Sequence, residues 1–473
     1  MAFLGDTIPP GLEDELRIRH LDVRKVSASL AEQVVGSARA LIVPFLNVAS
    51  FSKTHAHLRT WTLDSGASFV PMANGYLECA HVDRITTAIR AVDVTLKDGV
   101  AMLAQRCADH SDGYRLNASL IIDDGGSTLE IHEQMLMRRA FSDFARIEVR
   151  QPRQGFSGAK IWRVVASDST GRKAVPFAVK LHRRAKVELE RENIRNFVTE
   201  QIPFPHRPPV LEDRCVVGGR FAVLVTAFVE RAEHLDEYLS MGKPAATAID
   251  SLFDGPLRVW RAEARGPSPI MLAAQYEQIE VLPKSPDWSE LDAAYRANGE
   301  GKGVPAPADL RRIAHAMPRQ EVRTCWPHGD LHAQNVFVRQ DSGDVILIDF
   351  ARCRAESPLA RDLAQLDVSI GFGVRASDAL GGRDLERLYS HQILRNARFC
   401  WRRNERIKAI QKIRSYASMV SVGNDEYELT VAFHLLRLAR VLAKADTIER
   451  AAATYEVGAR LVLGVARRMD VRP

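Results

Sequence analysis

The sequence predicts an α+β chain in three parts: a small α+β N-terminal domain over residues 1–140, a strand-rich segment over 141–230 and a mostly helical segment over 231–473. Three observations carry this. At roughly 150 residues per domain, 473 residues leave room for about three units. Short apolar runs of strand character cluster between residues 145 and 230. Beyond 231 the apolar residues recur at helical spacing, interrupted at Trp326–Phe350 by two strand-like runs.

Taken in order, residues 27–48 (Leu30, Val34, Val35, Ala38, Leu41, Ile42) and 83–109 (Ile85, Ala88, Ile89, Val92, Leu96) have the period of helices. Leu116–Asp123 alternates like a strand and ends in Asp123-Asp124-Gly125-Gly126. That acidic pair suits Mg²⁺, but the two glycines make a plain turn the expectation. His55-Ala56-His57 has no cysteine or carboxylate nearby and is expected at the surface rather than on a metal. Ile161–Ala166, Phe177–Leu181 and Phe221–Val229 read as strands. A helix over about 187–200 lies between the last two, with Val187, Ile194, Phe197 and Val198 on one stripe. Val336–Val338 and Val345–Ile348 read as a short hairpin, and Arg296–Pro307 as an exposed loop.

Composition excludes several classes. With 46% hydrophobic and 26% charged residues the chain can build cores. Its net charge of +6 is mild for this length, so a dedicated nucleic-acid binder is not expected. The charge is uneven: residues 391–473 hold 16 Lys+Arg against 8 Asp+Glu, which reads either as solvated helix faces or as a basic wall for an anionic partner. Trp401-Arg402-Arg403 and Arg406 are read as coating a helix rather than pairing with phosphate. No apolar run approaches the length of a membrane span, and the N-terminal stretch lacks the basic-then-apolar layout of a secretory signal. The six cysteines are scattered without a CxxC, as expected of reduced thiols in a cytoplasmic protein.

The chemistry lies in His328-Gly329-Asp330-Leu331-His332-Ala333-Gln334-Asn335, followed by Val345-Ile346-Leu347-Ile348-Asp349-Phe350. Phosphoryl transfer needs a carboxylate beside the acceptor hydroxyl and hard oxygen ligands that hold Mg²⁺ against the phosphates. Asp330 and Asn335 stand five positions apart in a loop before a strand, and Asp349 follows an apolar strand. An isolated turn and an ordinary strand end would not explain Asn335 and Asp349 together.

Residues 328–350 resemble the signature of the aminoglycoside phosphotransferase and choline kinase family, and Asp362 in Ala360-Arg361-Asp362-Leu363-Ala364 resembles the family's downstream Asp-Leu-Ala. The resemblance implies a two-lobed kinase-like fold, with a β-rich N-lobe over 141–230 and a helical C-lobe over 231–473. It implies Asp330 as catalytic base, Asn335 and Asp349 as Mg²⁺ ligands, and His328 as a support of the loop. His332 is left between substrate contact and packing. Upstream, Gln154-Gly155-Phe156-Ser157-Gly158-Ala159-Lys160 fits a phosphate-covering hairpin, in which Gly155 and Gly158 allow close backbone approach and Ser157 adds a donor. Lys180 in Phe177-Ala178-Val179-Lys180-Leu181 matches the strand lysine that pairs with phosphates. Its glutamate partner is assigned to Glu190, with Glu192 in reserve, and Ala227, Phe228 and Val229 fall where backbone groups would meet adenine.

Ala351 stands where many kinases have the glycine of Asp-Phe-Gly, and no Ala-Pro-Glu segment follows, which argues against a conventional protein kinase. Gly155–Ala159, Asp349 and Arg361-Asp362-Leu363-Ala364-Gln365-Leu366-Asp367 also resemble a narrower group, the kinase-like ternary-complex-associated domains of bacterial conflict and signalling systems. The expectation is therefore an ATP- and Mg²⁺-dependent phosphotransferase acting on a hydroxyl of a small molecule. The alternatives are a nucleotide-binding regulatory or scaffold domain, with residues 1–140 receiving a protein partner, and, on the basic tail alone, a protein or nucleic-acid kinase.

Overall fold

In the computed structural model the described residues are 2–4, 11–18, 24–26, 40–44, 68–73, 94–95 and 117–471, the last without 118, 127–128, 151–157, 219–220, 285–286, 298–302, 354–355, 374–379, 396–403 and 446. The chain divides into two compact units, Met1–Leu189 with Pro209–Phe228, and Glu190–Pro208 with Val229–Pro473.

The first unit begins with β1 (Ala2–Leu4), α1 (Leu12–Ile18), β2 (Arg24–Val26), β3 (Ala40–Pro44), β4 (Ser68–Ala73) and β5 (Val94–Thr95). The strands form one parallel sheet in the order β2-β1-β3-β4-β5. Two sequence expectations are corrected here: strand β3 stands inside the helix expected over 27–48, and β5 inside the one expected over 83–109. Parallel strands buried on both faces are continuous apolar runs, and Ala40-Leu41-Ile42-Val43 satisfies helix and strand spacing alike. Strand β4 gave no signal because Pro71 argues against an interior strand. His55 and His57 lie outside the described residues.

A second sheet follows from β6 (Ile121–Asp123), β7 (Arg146–Arg150), β8 (Lys160–Ser167), β9 (Phe177–Arg183), β10 (Val216–Val217) and β11 (Phe221–Ala227), in the order β10-β11-β9-β8-β7-β6. It is antiparallel except for the β6–β7 pair. Helix α2 (Ile131–Ala140) packs against β10 and β11, its start closed by a capping box of Glu130 and Glu133. Leu136, Met137, Phe141, Val179 and Val223 make the core between them. Residues 123–126 are the plain turn expected: the Asp123 and Asp124 carboxylates accept the Gly125 and Gly126 amides, and both glycines have positive φ. This sheet contains the strands expected over 141–230, with β6 added at its edge.

The helix expected over 187–200 starts earlier, as α3 (Arg184–Asn193), and opens into a π-turn over Ile194–Val198. In the second unit β12 (Ala232–His234), β13 (Arg265–Ile270), β14 (Gln320–Cys325), β15 (Val336–Arg339), β16 (Val345–Leu347) and β17 (Ser357–Pro358) form two three-stranded sheets, β12-β15-β16 and β13-β14-β17. The second was not foreseen, because Arg265-Gly266-Pro267-Ser268-Pro269 carries Gly and Pro and no alternation. The rest is helical, the long members being α4 (Ala360–Phe372), α5 (Glu405–Val420), α6 (Asn424–Lys444) and α7 (Ile448–Arg468). Helix α4 is buried nearly all round, packed on α5 and α6, while α6 and α7 lie along one another.

Asp367 locks these helices. Fully buried on α4, its carboxylate accepts from Arg414 of α5 at 2.7 and 3.1 Å, from Tyr427 of α6 at 2.8 Å and from Tyr389 at 2.7 Å. A buried charge is tolerated only when paired and hydrogen-bonded in this way. Arg406 is also structural: it is buried and donates to the carbonyls of Ile370 and Asp236 and to Ser240 Oγ, so it does not coat the helix surface. Residues 401–403 lie outside the described set. Cys215, Cys325 and Cys353 are buried thiols. Among the described residues no helix is long and apolar enough to cross a membrane.

Candidate functional site

Two loops of the helical unit carry Asp330, Asn335 and Asp349. Strands β15 and β16 pair antiparallel with Val336 opposite Leu347, so the residue entering β15 lies beside the residues leaving β16. The Ile348 amide donates to the Asn335 carbonyl at 3.1 Å and fixes this juxtaposition. Asn335 is nearly buried, and its Nδ2 donates to the Asp330 carbonyl at 2.9 Å. That bond orients the carboxamide and leaves Oδ1 as its acceptor. Asp349 has φ of 63°, a left-handed backbone that a residue other than glycine adopts rarely and that clusters at functional turns. The turn after it is held by Asn193 of α3, whose Nδ2 donates to the carbonyls of Phe350 and Ala351 at 3.0 and 3.1 Å.

The His-Gly-Asp segment is braced from α4. Asp362 accepts the amides of His328 and Gly329 at 2.7 and 3.0 Å, and Arg361 donates to the Gly329 carbonyl at 2.8 Å. His328 is fully buried, with Nε2 2.9 Å from the Ile348 carbonyl, so it ties one loop to the other. Burial pushes the Asp362 carboxyl up, against the pull of His328, Arg361 and the two amides. Gly329 has φ of 78°, and a Cβ there would meet the Arg352 carbonyl oxygen at 2.3 Å. Gly329→Ala is therefore expected to cost roughly 1–3 kcal/mol from backbone conformation alone, and more from the collision. Urea unfolding measures this, and a variant as stable as the parent would contradict the loop geometry.

Asp330 is clamped on its side chain. Gln365 Nε2 of α4 donates to Oδ1 at 2.6 Å, Arg437 Nη2 of α6 donates to the same oxygen at 2.8 Å, and Arg352 Nε lies 3.8 Å from Oδ2. Burial works to raise the Asp330 carboxyl, but Arg437, His332 and Arg352 outweigh it and hold the group well below the ordinary carboxylate range. Burial and Arg437 push His332 down, although Asp330 and Asp349 pull it up, so its imidazole is neutral near pH 7. Arg361, Gln365 and Arg437 had no role in the sequence reading. Arg361 and Gln365 sit in the quoted Arg361–Asp367 run, whereas Arg437 gave no local signal.

The other expected residues are placed as follows. Lys180 is half-buried in β9 of the sheet unit, opposite Leu224 of β11 and Ile161 of β8. On α3, Glu190 is buried, Glu192 is exposed and Glu188 pairs with Arg184. Gly158 is exposed with φ of 74°. Gly155 and Ser157 lie outside the described residues. The Ala227 and Phe228 amides donate to the carbonyls of Pro209 and Pro176 at 3.1 and 3.0 Å, so neither is available to a ligand; Val229 follows directly.

The donor set suits Mg²⁺. Asn335 and Asp349 offer hard oxygens, and Mg²⁺ binds through one or two such side chains while water and phosphate complete its octahedron. Among the described residues there is no cluster of three or more His, Cys, Asp or Glu that would favour another metal.

Comparison with family models agrees with the resemblance to the ternary-complex-associated domains. The family model of Ternary complex associated domain 9 matches residues 281–463, a span that includes Asp330, Asn335, Asp349, Asp362, Gln365 and Arg437. No curated protein matches the chain. Among solved structures the chain is similar to an aminoglycoside phosphotransferase from Streptomyces rimosus, at 18% identity over 60% of this chain and 98% of that one, with a TM-score of 0.32. The same enzyme in complex with ADP and streptomycin matches at 20% identity over 55% and 92%, with a TM-score of 0.28. An ethanolamine kinase from Plasmodium vivax matches at 11% identity over 66% and 82%, with a TM-score of 0.34.

Proposed function

We propose that the chain is an ATP- and Mg²⁺-dependent phosphotransferase that acts on a hydroxyl group of a small molecule in the cytoplasm. The observation that supports this is the backbone bond from Ile348 to Asn335. It brings Asn335 beside the turn that bears Asp349, while Asn335 itself holds the carbonyl of Asp330. A base and two metal ligands from separate loops are thus fixed relative to one another before any substrate arrives, which is how phosphoryl transfer is accelerated.

In this reading Asp330 orients the acceptor hydroxyl and receives its proton as the oxygen attacks the γ-phosphorus and the bond to the β,γ-bridging oxygen breaks. Lys180 holds α- and β-phosphate oxygens, with Glu190 as its partner. Gly155, Ser157 and Gly158 cover the phosphates, and Ala227 and Val229 border the base. Asn335 and Asp349 would hold Mg²⁺, which when bound neutralises charge on the phosphates. Because the Ala227 amide is already used, Ala227 can offer no more than its carbonyl, and an amide contact to the base falls to Val229.

Purified full-length protein should consume ATP in a Mg²⁺-dependent manner and transfer ³²P to an acceptor, and Lys180→Ala should remove this by weakening Mg·ATP binding. Absence of ATP turnover with every acceptor tested would overturn the assignment. A second reading, a nucleotide-binding regulatory or scaffold domain of a bacterial defence or signalling system, is favoured by the five-stranded parallel sheet within residues 1–140, which this chemistry does not use. Under it Lys180→Ala would abolish the cellular phenotype while Asp330→Asn would preserve it.

A further inference from the structure

Three polar atoms around Asp330 are buried without a hydrogen-bond partner. Gln365 is 7% exposed and spends Nε2 on Asp330, which leaves Oε1 unmatched. Arg437 spends Nη2 on Asp330 and leaves Nη1 unmatched. His332 leaves Nδ1 unmatched. Orphaned buried groups are rare in folded proteins and each calls for a partner, and one bound molecule would supply partners to all three here. The set also specifies that molecule's chemistry. Oε1 asks for a donor, which a hydroxyl supplies, and Nη1 of a guanidinium asks for an acceptor, best supplied by an anion.

Charge points the same way. Arg437 stands 2.8 Å from Asp330 and keeps Nη1 for a further acceptor, while Arg352 lies 3.8 Å from Asp330 and Asp349 is the second carboxylate acting on His332. His434, buried one turn before Arg437 on α6, is held neutral by burial and by Arg437. Arg361 spends Nη2 on the Gly329 carbonyl and Nη1 on Ser357, and its buried Nε is unmatched as well. A polycationic or quaternary-ammonium acceptor would be repelled here, since such ligands need carboxylates or aromatic faces.

Resting on the phosphotransferase reading, we propose that the acceptor is an anionic polyhydroxy compound, its reacting hydroxyl on Asp330, a second hydroxyl donating to Gln365 Oε1, and its carboxylate or phosphate on Arg437. The test titrates full-length protein, with Mg²⁺ and a non-hydrolysable ATP analogue, against D-glycerate, gluconate, glycerol 3-phosphate and glucose 6-phosphate. Glycerol, glucose and streptomycin serve as neutral and cationic controls, and ³²P transfer to each compound is measured in parallel. At least one anion should bind about tenfold or more tighter than its neutral counterpart. Arg437→Gln should erase that preference and Arg437→Lys restore part of it, with unfolding midpoints showing that both variants are folded. The carboxylate and phosphate arms identify which anion is read. Binding that favours neutral or cationic compounds, no binding by any anion, or an anion preference that survives Arg437→Gln overturns the proposal. Arg437-dependent anion binding without ³²P transfer keeps the anion site and removes the phosphotransferase reading instead.

Discussion

Asp330→Asn is expected to slow phosphotransfer by about 10²–10⁴-fold while leaving Mg·ATP affinity unchanged. In the proposed reading the carboxylate acts on the acceptor proton and not on the nucleotide, so its loss belongs in kcat. Asparagine keeps the volume of the side chain and its bond to Gln365, but removes the charge that Arg437 faces at 2.8 Å. With Asp330 21% and Arg437 16% exposed, breaking that pair also lowers stability, by up to the roughly 3–5 kcal/mol of a buried pair. The fall in rate must therefore be read at a temperature where the unfolding curve shows the variant folded. Because Asp330 is held well below the ordinary carboxylate range, it is ionised throughout the neutral region. Its stabilising pairing with Arg437 is present above the unfolded carboxyl pKa of about 4 and lost as pH falls through the lower folded value. The acidic limb of kcat/KM from this group should accordingly lie below about pH 4. Single-turnover rates with Mg·ATP titrations decide the matter: an undiminished rate in Asp330→Asn removes Asp330 as the base.

The parts of this site that are local in sequence were legible, and those that are distant were not. Asp330, Asn335 and Asp349 sit at fixed intervals around a hairpin, and a hairpin's register converts interval directly into proximity. Arg437 stands 107 residues from Asp330, on a helix where nothing in the spacing separates it from Arg440. Only the packing of α6 on α4 selects one arginine for Asp330, while Arg440 faces Glu290 at 3.5 Å. Gln365 was visible in its motif, but a glutamine on a helix carries no mark of what it touches. The fold shows the same division. Strands β8, β9 and β11 alternate or are bounded by turn residues, and the sequence marked them. Strand β3 is an apolar run without period, and β4 contains a proline, so only pairing with neighbours makes them strands. Asp367 is the clearest case: its sequence neighbours suggested a motif, but its partners Arg414 and Tyr427 come from two other helices.

Asp349→Asn is expected to reduce phosphotransfer by about 10³-fold or more and to raise the Mg²⁺ concentration needed for half-maximal rate. The choice of asparagine follows from the backbone. At φ of 63° most side chains are strained, whereas Asn tolerates this region nearly as well as Asp. The substitution therefore removes one negative charge without adding backbone strain, and the unfolding midpoint should fall less than that of Asp349→Ala. Asp349→Ala makes the contrast: it removes the same charge but places a less tolerant residue in the left-handed region, which adds a stability loss of roughly 1 kcal/mol or more. Asn335 provides the internal control, since its Nδ2 bond to the Asp330 carbonyl serves the loop, while in the proposed reading its Oδ1 serves the metal. Asn335→Asp keeps an oxygen for Mg²⁺ but loses that donor, so it should lower the rate through the loop while keeping Mg²⁺ affinity. If Asp349→Asn retains both the rate and the Mg²⁺ dependence of the parent, the metal is not held at this turn and the electrostatic account of the site fails with it.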